Sequence, residues 1–414
     1  MSNSNRSKLA RSRRRGSLLL MVCVMLSMTA VLALCMTRLH VTSEKEQHAA
    51  QQEIHVELLA DAALSRSYVE VMNGRTGVYG SQAQPVALEG GQAYVTSTNF
   101  GPANALVRLT STATAGKAEA TSELVLKNNA DPRDIWAAFG IDWVNLSSQA
   151  KIDSYDSSLG TYASQDVNGT GSNSWAMANG NVGSDGNIAM SQNSLVFGNA
   201  QAGPGDTTTV IGNAAVSGST APMTTSITWP AVTLPVNPAS GTTTISSGTT
   251  VSSGTYAYGS TTVNGTMNVA GPATLVFDSL TMRTGASILV DSTHGPVNIY
   301  VVNNLVMNSN TTIHALDYKP AGINVNLLSD NIFDPSVQVT LDNVTFNSNS
   351  TLYGTIYAPT AAIVIDSNFE VFGGIVSKRV DLRSNSRVHF DQALMRITTP
   401  GTPQYTRVSW RVMR

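Results

Sequence analysis

Apolar residues alternate with polar ones through the last third of the chain, and a polar corner interrupts the alternation in a fixed phrase. Leu280-Thr-Met-Arg-Thr-Gly-Ala-Ser-Ile288 is followed by Leu305-Val-Met-Asn-Ser-Asn-Thr-Thr-Ile313 and Val344-Thr-Phe-Asn-Ser-Asn-Ser-Thr-Leu352. Ile363-Val-Ile-Asp-Ser-Asn-Phe-Glu-Val371 and Val380-Asp-Leu-Arg-Ser-Asn-Ser-Arg-Val388 complete the set. Apolar residues two apart share one face of a strand. The Ser-Asn or Thr-Gly pair is turn chemistry, because Asn and Gly tolerate positive φ. The last three copies start about 17 to 19 residues apart, which suits one coil of a parallel β-solenoid. The two earlier gaps, about 25 and 39 residues, leave room for loops between coils. The pairs Ser309-Asn310, Ser348-Asn349, Ser367-Asn368 and Ser384-Asn385 occupy one corner position and predict a structural turn ladder. A β-sandwich with Ser/Asn-rich hairpins also gives short strands and regular turns, but hairpins have no reason to repeat one corner phrase.

The same phrase appears earlier. Val144-Asn-Leu-Ser-Ser-Gln-Ala-Lys-Ile152 and Ile188-Ala-Met-Ser-Gln-Asn-Ser194 match it, and Thr208–Val216 matches loosely. A Pro-rich stretch follows, with Pro222, Pro230, Pro235 and Pro238, before shorter copies resume after Gly241. The expectation is one solenoid over residues 131–398, entered near Ile141 and interrupted near residues 218–240, with a C-terminal tail at 399–414. Two separate β domains joined by a Pro linker are the alternative.

The N-terminal pattern is different. Residues 1–16 form a basic leader with Arg6, Lys8, Arg11, Arg13, Arg14 and Arg15 and no acid, ending in Gly16. From Ser17 to Met36 the chain is uncharged, long enough to cross a bilayer as a helix. The basic flank holds the N-terminus on the cytoplasmic side. A cleaved secretory signal would have a shorter apolar run and a small-residue cleavage site, which Ala33-Leu34-Cys35 matches poorly. A lipoprotein signal fits poorly too, since Leu20-Met-Val-Cys23 lacks a small residue before Cys23. No Pro or Gly interrupts Thr37–Asn73. Ile54, Leu58, Ala62, Ser65, Val69 and Met72 recur at helical spacing, so one helix is expected over 17–73, transmembrane then amphipathic. A coiled-coil dimer is the alternative for the outer half, but its heptads are not sustained. Residues 74–130 then read as a small antiparallel β-sheet, with strands at 92–98, 105–112 and 120–127. The fold class is therefore mainly β: a long N-terminal helix, a small sheet and a parallel β-helix.

Composition narrows the function. The 414 residues carry 25 Lys+Arg against 27 Asp+Glu, with no basic face beyond the leader, so nucleic acid is not an expected partner. Both cysteines, Cys23 and Cys35, lie in the apolar run, and no disulfide staples the rest.

A basic leader ending in Gly16, an uncharged run from Ser17 and an amphipathic continuation together resemble a type IV pilin or type II secretion pseudopilin. The PilX-type minor pilins are the closest group, through Leu59-Ala-Asp-Ala-Ala-Leu64 in the outer helix. Tyr353–Pro359, Phe372–Val376 and Val388–Asp391 resemble the β-helical module fused to such leaders in Gram-negative bacteria. The resemblance implies that a prepilin peptidase cuts after Gly16 and leaves Ser17 as the new N-terminus. It implies other pilins or pseudopilins as partners of the N-terminal helix, an inner-membrane anchor, and surface glycans as a further partner class. Ser17 stands where major pilins carry Phe, and Met21 where they carry Glu, which speaks against a bulk-subunit role.

No catalytic set is evident. The six His residues fall in no metal pattern, and there is no nucleophile elbow, P-loop or dinucleotide fingerprint, which excludes a secretion motor. Catalytic, metal and cofactor residues are accordingly expected to be none. The rival is a membrane-anchored β-helical enzyme acting on polysaccharide, which needs acids on one exposed face. Asp342, Asp366, Asp381 and Arg383 are its nearest candidates. Asp366 and Arg383 share the fourth position of the phrase and also read as an ordinary ladder pair. A cytoskeletal solenoid polymer of the bactofilin kind conflicts with the membrane span.

Overall fold

A computed structural model describes residues 6–72, 76–100, 106–128, 131–329, 344–396 and 405–413. The chain divides into two compact units, one built on the helix and one on a parallel sheet.

The helix is a single element, Arg6–Met72, so it begins inside the leader rather than at Ser17. Its segment Leu18–Met72 contains a window long and apolar enough to cross a membrane, and none of that window is buried in the protein. The buried face of the outer half is Val56, Leu59, Ala60, Ala63, Leu64, Ser67 and Val71. That corrects the stripe expected from the sequence: Ile54, Leu58 and Val69 are exposed. Both faces of this half carry apolar residues, and the face that docks is the one with small residues. Ala60 and Ala63 let a sheet backbone come close, and Gly91 packs directly on Leu59. Asp61 lies beside that face and accepts hydrogen bonds from Ser122 (2.8 Å) and Trp410 (3.3 Å).

The antiparallel sheet has five strands, in the order Val86–Leu88, Gly91–Phe100, Leu106–Ala115, Ala118–Asn128 and Tyr405–Met413. The fifth strand lies in the stretch expected as a tail. Its alternating Tyr405, Arg407, Ser409 and Arg411 are not apolar enough to announce a strand. Arg411 anchors it instead, donating to Glu123 at 3.0 Å.

The second unit is a sheet of parallel-paired layers. Thr242–Ser246 pairs with Ser260–Asn264, which pairs with Ser279–Met282, and the ladders continue to Glu370–Leu382. Ile or Val at alternate positions fills the inside, and Ile288, Ile313, Leu352, Val371 and Val388 are all buried. The layers do not follow sequence order. Glu370–Leu382 pairs onward with Ala138–Leu146, and Arg387–Asp391 with Lys151–Tyr155. Those N-terminal strands then carry 182–196, and 182–196 carries 200–216. Residues 138–216 are thus stacked behind the last layer, not ahead of 242.

The Pro-rich stretch forms a strap between two blocks of ladders. No register couples 208–216 to 242–251; each is paired on one side only among the described residues. The strap runs back across the layers between them. Met223 donates to the carbonyl of Ala202 at 2.8 Å, and Ile227 to Asp185 at 2.9 Å. Trp229 packs on Phe139 with ring centroids 4.7 Å apart, and Tyr357 donates to the carbonyl of Pro230. Gly183 lies beneath this cluster, where a Cβ would meet ring carbons of Phe139 and Trp136 at 2.6 Å. Prolines suit a segment that pairs with no strand, because they lack an N–H to satisfy.

Candidate functional site

The corner residues stack from layer to layer. Asn310, Asn349, Asn368 and Asn385 have φ of 60°, 55°, 61° and 61°. Gly285 N–H donates to Ser309 O (3.1 Å), Asn310 to Ser348 (3.1 Å), Asn349 to Ser367 (3.3 Å) and Asn368 to Ser384 (3.1 Å). Asn385 continues to Ser148 O at 2.9 Å, across the seam where the chain order breaks. These bonds are backbone ones, so the ladder uses the left-handed conformation of Asn and the carbonyl of Ser. Gly16 and Ser17 lie within the N-terminal helix.

Asp366 and Asp381, singled out from the sequence, are engaged by their near neighbours. Asp342 lies outside the described residues. Asp381 pairs with Arg383 two residues on and accepts from Asn145 at 2.8 Å. The Asp381 side chain holds the Arg383 guanidinium above its usual range through their hydrogen bond. Asp366 accepts from its neighbour Ser367 N–H at 2.7 Å.

A different column carries the richest chemistry. His314, Tyr353, Phe372 and His389 each follow the apolar residue that resumes after the corner, so they face outward. Tyr353 and Phe372 are register partners, stacked with centroids 4.2 Å apart at 6°. Phe372 pairs with His389, and His389 with Asp153. At that end the column is covered: Tyr162 lies 3.8 Å from the His389 ring and donates to Asp153 at 2.7 Å. At the other end Tyr318 stacks on His314 at 4.5 Å and meets Tyr353 edge-on at 5.2 Å.

Between the two ends lies a cavity of about 540 Å³, lined by Tyr155, Tyr162, Tyr318, Tyr353 and Phe372 together with Asp317 and Glu370. Asp366, Asp381 and Arg383 do not line it. Burial, with Glu370 and Tyr318 alongside, pushes the Tyr353 phenol up to about 12. Burial raises Tyr155 and Tyr162 further, with Asp391 reinforcing the first and Asp153 the second. All three hydroxyls therefore keep their protons at neutral pH. Sequence reading missed this column, although its signal is simple: three successive copies of the phrase after Ile288 and then the last are each followed by His, Tyr, Phe and His.

A family model for a domain of unknown function (DUF7305) matches residues 213–397, from the strap through the layers up to Asp391. No curated protein matches the chain. Among solved structures, the competence-associated pilin ComZ from Thermus thermophilus is similar at 12% identity and a TM-score of 0.26, over 88% of this chain and 97% of that one. Likeness at that level is too low to carry fold or function across.

Proposed function

We propose that this protein is a minor-pilin-like, membrane-anchored component of a type IV pilus or type II secretion pseudopilus. In this reading the parallel sheet is a β-solenoid, displayed outside the membrane as a structural or adhesive module without catalytic activity. The N-terminus is cytoplasmic, the anchor is in the inner membrane, and the bulk is periplasmic or extracellular on a filament. The observation that carries the reading is the helix. Leu18–Met72 is continuous, bare of protein contact through its apolar part, and docked on a sheet through Val56, Leu59, Ala60, Ala63 and Leu64. The exposed Ile54, Leu58 and Val69 extend an apolar surface beyond the span, where other pilins or pseudopilins pack. The solenoid reading is supported by layers that pair in parallel with their neighbours and by the corner ladder.

Intact-mass measurement of the membrane form from its source cell tests the reading. Loss of residues 1–16, cut by a prepilin peptidase between Gly16 and Ser17, is the expected result. A full-length chain, or a cut near Cys35, overturns it.

A further inference from the structure

We propose that the aromatic cavity between Tyr318 and Tyr162 is a carbohydrate subsite that takes a neutral pyranose unit of a surface glycan. It deepens the adhesive reading above, on which it rests only for the exposure of the layers outside the membrane.

The cavity volume of about 540 Å³ is in the range of small-ligand sites. Two observations point to a ligand rather than to packing. Tyr318 is a bulky residue held at φ 56° and 47% exposed, so its ring is presented at a backbone cost that burial does not repay. The second is the composition of the walls, apolar ring surface with the oxygen acceptors of Asp317 and Glu370 beside it.

Charge selects among ligand classes. Asp317 lies 3.4 Å from Lys319, and Glu370 lies 3.5 Å from Arg387. Each carboxylate is thus locally neutralised yet keeps lone pairs that accept hydroxyl protons. A quaternary ammonium ligand would find aromatic walls but carboxylates already engaged by cations. An acidic sugar would meet two carboxylates. A purely apolar ligand would displace water from both carboxylates and offer no hydroxyl in its place, which costs affinity. A neutral sugar ring offers an apolar C–H face to the tyrosines and a rim of hydroxyls to the oxygens.

The test is calorimetric titration of the full chain in a polyoxyethylene detergent, which has neither a sugar nor a quaternary ammonium headgroup. The probes are oligomers of glucose, galactose and N-acetylglucosamine, oligogalacturonate, and choline. Saturable binding of at least one neutral oligosaccharide is expected. Tyr318→Gly should weaken it about tenfold or more, since it removes the ring and suits the left-handed backbone. The melting temperature of that variant should change little, because relief of the left-handed backbone offsets the lost contacts with His314 and Tyr353. Asp317→Asn should weaken binding as well, through loss of a charged acceptor. Absence of binding to every neutral oligomer overturns the proposal. So does binding of choline or oligogalacturonate alone, or neutral-sugar binding that Tyr318→Gly leaves intact. The result is independent of whether residues 1–16 are removed, so each reading fails separately.

Discussion

Asp153 and His389 lie 236 residues apart in the chain and share a hydrogen bond of 2.5 Å across adjacent parallel strands. Both side chains are buried, and Asp153 also accepts from Tyr162 and, at 3.3 Å, from the N–H of Ala176. One carboxylate thus ties together the strand that closes the stack, the strand it closes on, and the segment that covers them. Asp153→Ala would leave three donors or acceptors short of a partner in a buried site, at roughly 2 to 4 kcal/mol. We expect a fall of several degrees in melting temperature, with Asp153→Asn intermediate. Equal melting of Asp153→Ala and the parent would mean that the seam does not form as described.

Ile365 is fully buried, with Phe346 on one side and Leu382 on the other in register. Ile365→Asp places an unpaired charge in that stack and should cost several kcal/mol, on the order of 3 or more. Denaturant unfolding followed by circular dichroism reads the effect. A parental midpoint would refute the register.

Trp229 is the largest side chain that fastens the strap. Its ring sits 4.7 Å from Phe139 and 6.4 Å from Tyr357. Trp229→Ala should cost about 2 to 3 kcal/mol, at the low end for a half-buried ring. Limited proteolysis is the sharper measurement, because a detached strap exposes backbone that pairs with no strand. New cleavage between residues 218 and 240 is expected; an unchanged digest would show the strap to be held without Trp229.

Asp134 supplies a pH dependence. Burial first, then the neighbouring Asp131, pushes its carboxyl up to about 7 from 3.8. An acid with a raised folded value contributes stability that is complete below its unfolded value and is lost as pH rises through the folded one. Between about pH 4 and pH 7 this group should therefore remove up to about 1.4 kcal/mol per pH unit. Asp134→Asn should match the parent near pH 4 and melt higher near pH 7. A variant that follows the parent across the whole range would show that Asp134 titrates normally.

The corner phrase made the parallel layers legible, because it marks where each strand turns and which residues face inward. The long helix was legible from hydropathy and the lack of Pro and Gly. Its docking face was not, since Ile54 and Leu58 are as apolar as Val56 and Leu59, and only the small Ala60 and Ala63 distinguish the face that meets the sheet. The order of the layers was hidden for a related reason. Every layer presents the same alternating apolar stripe, so Val144 fits equally well beside Val380 or beside any other. The side chains that do discriminate are outward ones, such as His389 with Asp153. The aromatic cavity was missed because its walls come from residues as distant as Tyr155 and Phe372, joined only once the seam closes.

The displaced position of residues 138–216 in the stack governs how the chain is assembled as it is made. Residues 138–216 emerge first, but the strands that cover Ala138–Tyr155 are at 370–391 and emerge more than 200 residues later. Stacking therefore cannot proceed from one end to the other in the order of synthesis. Two blocks must form, joined by the strap, and meet across a late, long-range contact whose closure is entropically costly. Until then the edge at Ala138–Leu146 and Lys151–Tyr155 is an open strand template. A ribosome stalled, or a chain cut, before Glu370 would release a first block with that edge exposed, prone to pair with another copy of itself.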